Sequence, residues 1–358
     1  MKKIIFILPF LFSINQSIAC EEVNLFESKP RVMETKIVNQ GDMNTCYAHT
    51  LAALYSMEKA TNLSESLHTD WVAFNHKQRF IHWNPRNLNY SLLSWSYSDI
   101  KKNGVCSYQA VEEQLSLVKQ GVPYSNDQLM FLLHTFFVKK RLYLVTLNSA
   151  FKKVLDHTYD SVMKKSKQFE VPWKKEDIEK ILRPIKNHVA TKSFFEYLGD
   201  DIFSVCRNMS HQIDDKLVSI GRAFESNNDV KARIEMALSE DKVVAIGYCS
   251  RKVVKDPTTE DMSSFPRVTR SMSTKCGAHY SLLVGSRKSA ESCQLLLRNS
   301  YGQGYWGHPG MEYYCQDKVT GVRRNCSKEE NNPNMKVLGG WVESKKISAN
   351  AYEVSYFE

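Results

Sequence analysis

The chain has 358 residues and a formal charge of +9, with 42% apolar and 24% charged residues. That is a globular composition, which excludes a collagen-like or mainly disordered chain and allows one large domain or two modest ones. The basic excess is mild and spread along the chain, so no nucleic-acid partner is expected.

In chain order the first feature is an address. Lys2 and Lys3 precede an apolar run, Ile4 to Ile14, that is too short to span a bilayer. Ser17-Ile18-Ala19 then supplies small residues at the −3 and −1 positions of a signal-peptidase site, so residues 1–19 are predicted to be a signal peptide. No later segment has the pattern of a membrane span. The mature chain is therefore expected to be exported, to a periplasm or the medium. Cys20, directly after the cut, opens a second fate, a bacterial lipid anchor, although Ser17 stands where a lipobox has an aliphatic residue. Outside the cytosol thiols tend to pair, and nine cysteines leave at least one unpaired, lipidated or reactive.

A helix is predicted from Asn44 or Thr45 through Met57, with Tyr47, Leu51, Leu54 and Tyr55 on the helical period. Further helices are expected within 90–120. Residues 127–225 read as a Lys-rich helical block with solvated faces. Beyond about 230 the pattern changes to strands: Val243 to Cys249, Tyr280 to Gly285 and Cys293 to Asn299. Helices followed by strands predict an α+β protein of two lobes. The expected division is 20–126 for the helical lobe, 127–225 for an insertion, and 226–358 for the strand-rich lobe. Two disulfides are expected locally. Cys249 ends one strand and Cys276 precedes the next, while Cys315 and Cys326 flank a turn-like segment containing Gly321.

The chemistry concentrates in three segments. Cys46 falls in the first turn of its helix, where unpaired N–H groups and the helix dipole favour a thiolate. Gln40, in the preceding loop, could donate to an oxyanion together with the N–H of Cys46. On this segment alone a buried structural cysteine remains open. His279 starts a strand and Asn299 ends the next strand-like run. An antiparallel pairing brings such positions together, so that the amide oxygen orients the imidazole for proton exchange with a thiol. Tyr301 and Trp306 could shield that bond from water.

Together these segments resemble the papain-like cysteine proteases. The matching residues are Gln40, Cys46, Tyr47, Ala48, His279, Val284, Gly285, Asn299, Ser300, Gly302, Trp306 and Gly307. The resemblance implies a papain-like α+β fold, with a helical lobe carrying Cys46 and a strand lobe carrying His279 and Asn299. It further implies a thiol peptidase acting on protein or peptide substrates without a cofactor. There are departures. Met43 stands where the family has a disulfide cysteine, Tyr47 and Tyr301 replace tryptophans, and Ser91 to Ser96 occupy the region of the family's substrate-binding glycines. The insertion 127–225 exceeds the family core. Two other functions remain open, a related thiol acyltransferase or deamidase and a catalytically silent binding protein. His49, three residues after Cys46 on one helix face, suggests half of a metal site, but no second ligand pair accompanies it, so no metal is expected.

Overall fold

The structure is a computed structural model and describes residues 20–35, 45–60, 66–78, 92–140, 149–164, 171–206, 210–221, 226–250, 277–289, 292–299, 312–327 and 332–358, together with the backbone of the elements in which they lie. It has the mixed helical and antiparallel-sheet architecture expected of an α+β protein.

The chain enters through β1 (Val23–Asn24), α1 (Leu25–Ser28) and α2 (Pro30–Glu34). The helical lobe follows with α3 (Cys46–Glu58), α4 (Thr69–Gln78), α5 (Leu93–Asn103), β2 (Val105–Cys106) and α6 (Tyr108–Lys119). α7 (Asn126–Lys140), α8 (Ser149–Met163), α9 (Lys175–Thr191) and α10 (Phe194–Tyr197) form the inserted block. β3 (Ser210–His211), β4 (Leu217–Gly221), α11 (Asn227–Ser239) and β5 (Val244–Cys249) lead to β6 (Ala278–Lys288) and β7 (Cys293–Arg298). The chain closes with β8 (Tyr313–Asp317), β9 (Arg323–Cys326), β10 (Met335–Glu343), α12 (Ser344–Asn350) and β11 (Ala351–Phe357).

The large sheet runs β4-β11-β5-β6-β7-β10-β8-β9, with β1 added against β6. All six residues of β5 are buried, so both faces of the sheet are covered there. α3, α11 and α12 supply the cover. This is why β5 reads as a continuous apolar run and not as an alternating one. Gly285 has a steric role. A Cβ there would lie 2.6 Å from the carbonyl oxygen of Val23, so glycine alone admits the N-terminal strand at this point.

α8 and α9 are amphipathic, whereas α7 is buried on most sides, through Leu129 to Leu133, Phe136 and Phe137. α9 buries Ile178, Ile181, Leu182 and Ile185 and turns Lys175, Glu176, Lys180 and Arg183 outward, which is the solvated charged face its lysines predict. The block docks on the helical lobe. Phe203 sits against Trp71 and Phe74 with ring centroids 5.5 and 4.9 Å apart, β3 pairs with β2, and Cys206 is bonded to Cys106.

Two expectations need correction. Residues 217–221, placed by sequence in the helical insertion, are the edge strand β4 of the large sheet, with Ile220 opposite Val354. Its partner is the last strand of the chain, which no local pattern announces. Cys20, the candidate for lipidation, is bonded to Cys293, and a sulfur in a disulfide cannot also carry a thioether lipid. Cys315 and Cys326 are joined as expected, across the β8–β9 hairpin. Cys249 is also disulfide-bonded, and its expected partner Cys276 lies outside the described residues. No helix among the described residues is long and apolar enough to cross a membrane.

Candidate active site

Cys46 is the first residue of α3 and is 5% exposed. Thr45 holds the N-cap position, but its hydroxyl makes no capping hydrogen bond. First-turn N–H groups are normally satisfied by such a cap. Here the backbone N–H groups of Tyr280, Tyr47 and Cys46 favour the ionised form of the thiol, that of Tyr280 acting from the strand lobe. Tyr280 is near because α3 packs across β5 and β6. The start of α3 and the start of β6 therefore meet.

His279 lies one residue before that contact and is 2% exposed. In β6 it pairs with Tyr248 of β5, whose ring stands edge-on to the imidazole at 5.8 Å. Antiparallel pairing of β6 with β7 sets Leu282 opposite Arg298, so the residue after Arg298 falls beside the beginning of β6. His279 Nε2 and Asn299 Oδ1 are 2.5 Å apart. An amide oxygen only accepts, so Nε2 carries the hydrogen and Nδ1 of a neutral ring carries the lone pair.

Side chains outside the sequence motif hold this pair. Ser281, two residues along the same strand and on the same face, donates to Asn299 Oδ1 at 3.4 Å. Its Oγ lies 3.1 Å from the Tyr248 hydroxyl. Tyr352 donates its hydroxyl to the His279 carbonyl at 3.2 Å. Arg298 is buried and donates to the carbonyl oxygens of Val32 and Thr35, fixing the chain where it leaves α2. The period-two alternation of β6 could have flagged Ser281. An arginine closing the apolar run Leu295 to Leu297 was a visible anomaly. Tyr248 and Tyr352 depend on cross-strand partners and carried no local signal.

Burial governs the electrostatics. It pushes the Cys46 thiol up to about 11, against the opposing pull of the three N–H groups. It lowers His279 to about 4, with the bond to Asn299 acting the other way. In this closed arrangement the proton sits on sulfur and the imidazole is neutral.

His49 is buried one turn along α3, and neither ring nitrogen has a hydrogen-bond partner among the described residues. It lines a cavity of about 770 Å³ shared with His68, Asp70, Glu112 and Asn299. No group of three or more His, Cys, Asp or Glu side chains among the described residues is arranged to hold a metal ion. Gln40, Tyr301 and Trp306, the expected oxyanion donor and shielding aromatics, lie outside the described residues.

No protein-family model matches the chain, and no curated protein matches it. Among solved structures it is similar to one described as the structural basis for the limited antibody cross reactivity between the mite allergens Blo t 1 and Der p 1. The similarity covers 96% of this chain and 73% of that one, at 12% identity and a TM-score of 0.41. A likeness of that size carries no argument about what this chain does.

Proposed function

We propose that the protein is an exported thiol peptidase in which Cys46 is the nucleophile, His279 the proton carrier, Asn299 the orienting residue and Gln40 an oxyanion donor. The observation that carries the reading is the Nε2–H···Oδ1 bond from His279 to Asn299, at the point where β6 meets the cysteine that starts α3. That bond presents Nδ1 as the base, and the uncapped first turn of α3 supplies N–H groups for negative charge.

Hydration of the site on substrate entry relieves the desolvation that keeps both groups neutral, and the proton passes from Sγ to Nδ1. The thiolate adds to the scissile carbonyl carbon. Negative charge develops on the carbonyl oxygen and is met by the Cys46 N–H and Gln40. The imidazolium returns its proton to the departing amine as the C–N bond breaks, leaving an acyl-enzyme. Water, deprotonated by His279, then releases the acid and regenerates the thiol. Three disulfides among the described residues support an oxidising destination such as a periplasm or the medium.

The test is cleavage of a fluorogenic peptide library by the purified protein, with Cys46→Ala as control. Cleavage that Cys46→Ala abolishes is the expected result. Ammonia release from glutamine peptides without chain cleavage would assign a deamidase instead. Absence of both, with Cys46 alkylated no faster than free cysteine, would leave a binding protein.

A further inference from the structure

Glu353 is 3% exposed and lies away from the Cys–His–Asn grouping, in the last strand of the chain. Its carboxylate faces four donors, two on each oxygen. Oε2 accepts from the N–H of Leu93 at 2.9 Å and from the hydroxyl of Tyr280. Oε1 accepts from the N–H of Ser94 at 3.0 Å and from the Ser219 hydroxyl at 2.7 Å. The two N–H groups are the first of α5, in the helical lobe. The two hydroxyls belong to β6 and β4, in the sheet. A carboxylate at a helix start is stabilised by the unpaired N–H groups there and by the helix dipole. Glu353 meets that demand across the lobe boundary.

The residues joined to it lead to both proposed reacting groups. Tyr280 directly follows His279 in β6, the strand on which α3 packs, and its backbone N–H favours the Cys46 thiolate. Tyr352, directly before Glu353, holds the carbonyl of His279 at 3.2 Å. The Tyr280 and Tyr352 rings meet edge-to-face at 5.5 Å. A Cβ at Gly247 would come within 2.5 Å of the Tyr352 ring and 2.7 Å of the Tyr280 ring, so the two rings are seated on bare backbone. The nest acts on the backbone that carries the imidazole ring.

We propose that Glu353 is a positioning residue for the thiol–imidazole pair. It clamps the start of α5 to β6 through Tyr280, and so sets the separation of two groups that belong to different lobes. The inference rests on the peptidase reading and assigns it a residue outside the Cys–His–Asn–Gln set. Each carboxylate oxygen faces one backbone N–H, which can only donate, so Glu353→Gln should weaken the clamp with little change in volume: its NH₂ meets the N–H of Leu93 or of Ser94 whichever way it turns, even though the Tyr280 and Ser219 hydroxyls can turn to accept. Reacting groups displaced by about 1 Å lose about 10²-fold in rate.

The experiment is the pH dependence of Cys46 alkylation by iodoacetamide in the full chain, measured for the wild type, Glu353→Gln, Tyr280→Phe and Val354→Ala. Val354 is a buried neighbour on the same strand, and its truncation reports strand destabilisation alone. The reagent, like substrate, hydrates the site as it enters and relieves the desolvation that keeps both groups neutral, so the wild type should show a reactive plateau extending well below the pH at which free cysteine ionises. Glu353→Gln and Tyr280→Phe should each shift the onset of that plateau upward by about one pH unit and slow alkylation about tenfold near pH 6.5. Val354→Ala should keep the wild-type profile. A wild-type profile in Glu353→Gln, or equal shifts in Val354→Ala, overturns the proposal. If Glu353→Gln does not fold, Tyr280→Phe decides, since it removes only the hydroxyl. A wild-type Cys46 no more reactive than free cysteine overturns the peptidase reading and the clamp with it, an outcome distinct from a reactive Cys46 indifferent to Glu353.

Discussion

The two halves of the candidate site are built in different ways. The cysteine side is local: Cys46–Glu58 form one uninterrupted helix, and the thiol's position follows from being its first residue. The histidine side is assembled from distant pieces. Tyr248, His279, Ser281, Asn299, Tyr352 and Glu353 come from β5, β6, the end of β7 and β11, and only sheet register brings them together. A helix start can be moved by changing one turn. A register-built site fails when any of several pairings slips.

The largest effect that can break this comparison is chemical. Cys46→Ala and His279→Ala should each reduce kcat/KM by about 10⁴-fold or more, and the double variant should be no worse, because groups that act as a unit are not additive. Asn299→Ala should cost about 10²-fold, the scale of a misplaced reacting group. Steady-state hydrolysis of one fluorogenic peptide compares all four. Substantial activity in His279→Ala would transfer the base role to another imidazole, His49 being the one on the nucleophile helix.

The next effect is on stability and contrasts the inserted block with the sheet. Cys106–Cys206 closes 100 residues of sequence separation and Cys315–Cys326 closes 11. Chain entropy then assigns about 4–5 kcal/mol to the first and about 3 kcal/mol to the second. Urea unfolding of the two double-alanine variants should rank them in that order. The reverse ranking would mean that β3 and the Phe203 contacts hold the block onto the helical lobe without the disulfide.

The smallest effect sharpens the comparison through pH. His279 is held neutral down to about 4, against an unfolded value of 6.5. The unfolded chain binds more protons between those values, so this stabilisation is complete above about pH 6.5 and is lost as pH falls toward 4. His49, lowered to about 3, extends the same loss further into acid. The cysteine side has the opposite sign: the thiol is raised from 9.0 to about 11, so its contribution is complete below pH 9 and is lost on the way to 11. Each limb is worth roughly 3 kcal/mol by linkage. Denaturation midpoints across pH should show both limbs, with Cys46→Ala weakening the alkaline one, to which buried tyrosines raised by desolvation also contribute, and His279→Gln weakening the acid one.

Much of this was legible in the sequence. The helix beginning at Cys46 was marked by its apolar period, and β5, β6 and β7 by short apolar runs. His279 and Asn299 were marked by their places at the start and the end of adjacent strand patterns, because an antiparallel neighbour with a short connection has few alternatives. The Cys315–Cys326 hairpin was equally local. β4 was not legible, since Leu217–Gly221 becomes a strand only through pairing with β11. Cys20–Cys293 was not legible either, since counting cysteines does not give connectivity across 273 residues.

By itself, then, the sequence determined the local character of the candidate groups: a cysteine in a first helical turn, a histidine at the start of a strand, and an asparagine at the end of the next. Those properties depend on residue type and local backbone geometry. The tertiary structure decided how far each is desolvated, which N–H groups face the sulfur, and which buried carboxylate ties the lobes beside them. Desolvation and lobe separation are set by residues hundreds of positions apart, and they take values only once the sheet has closed over the helix.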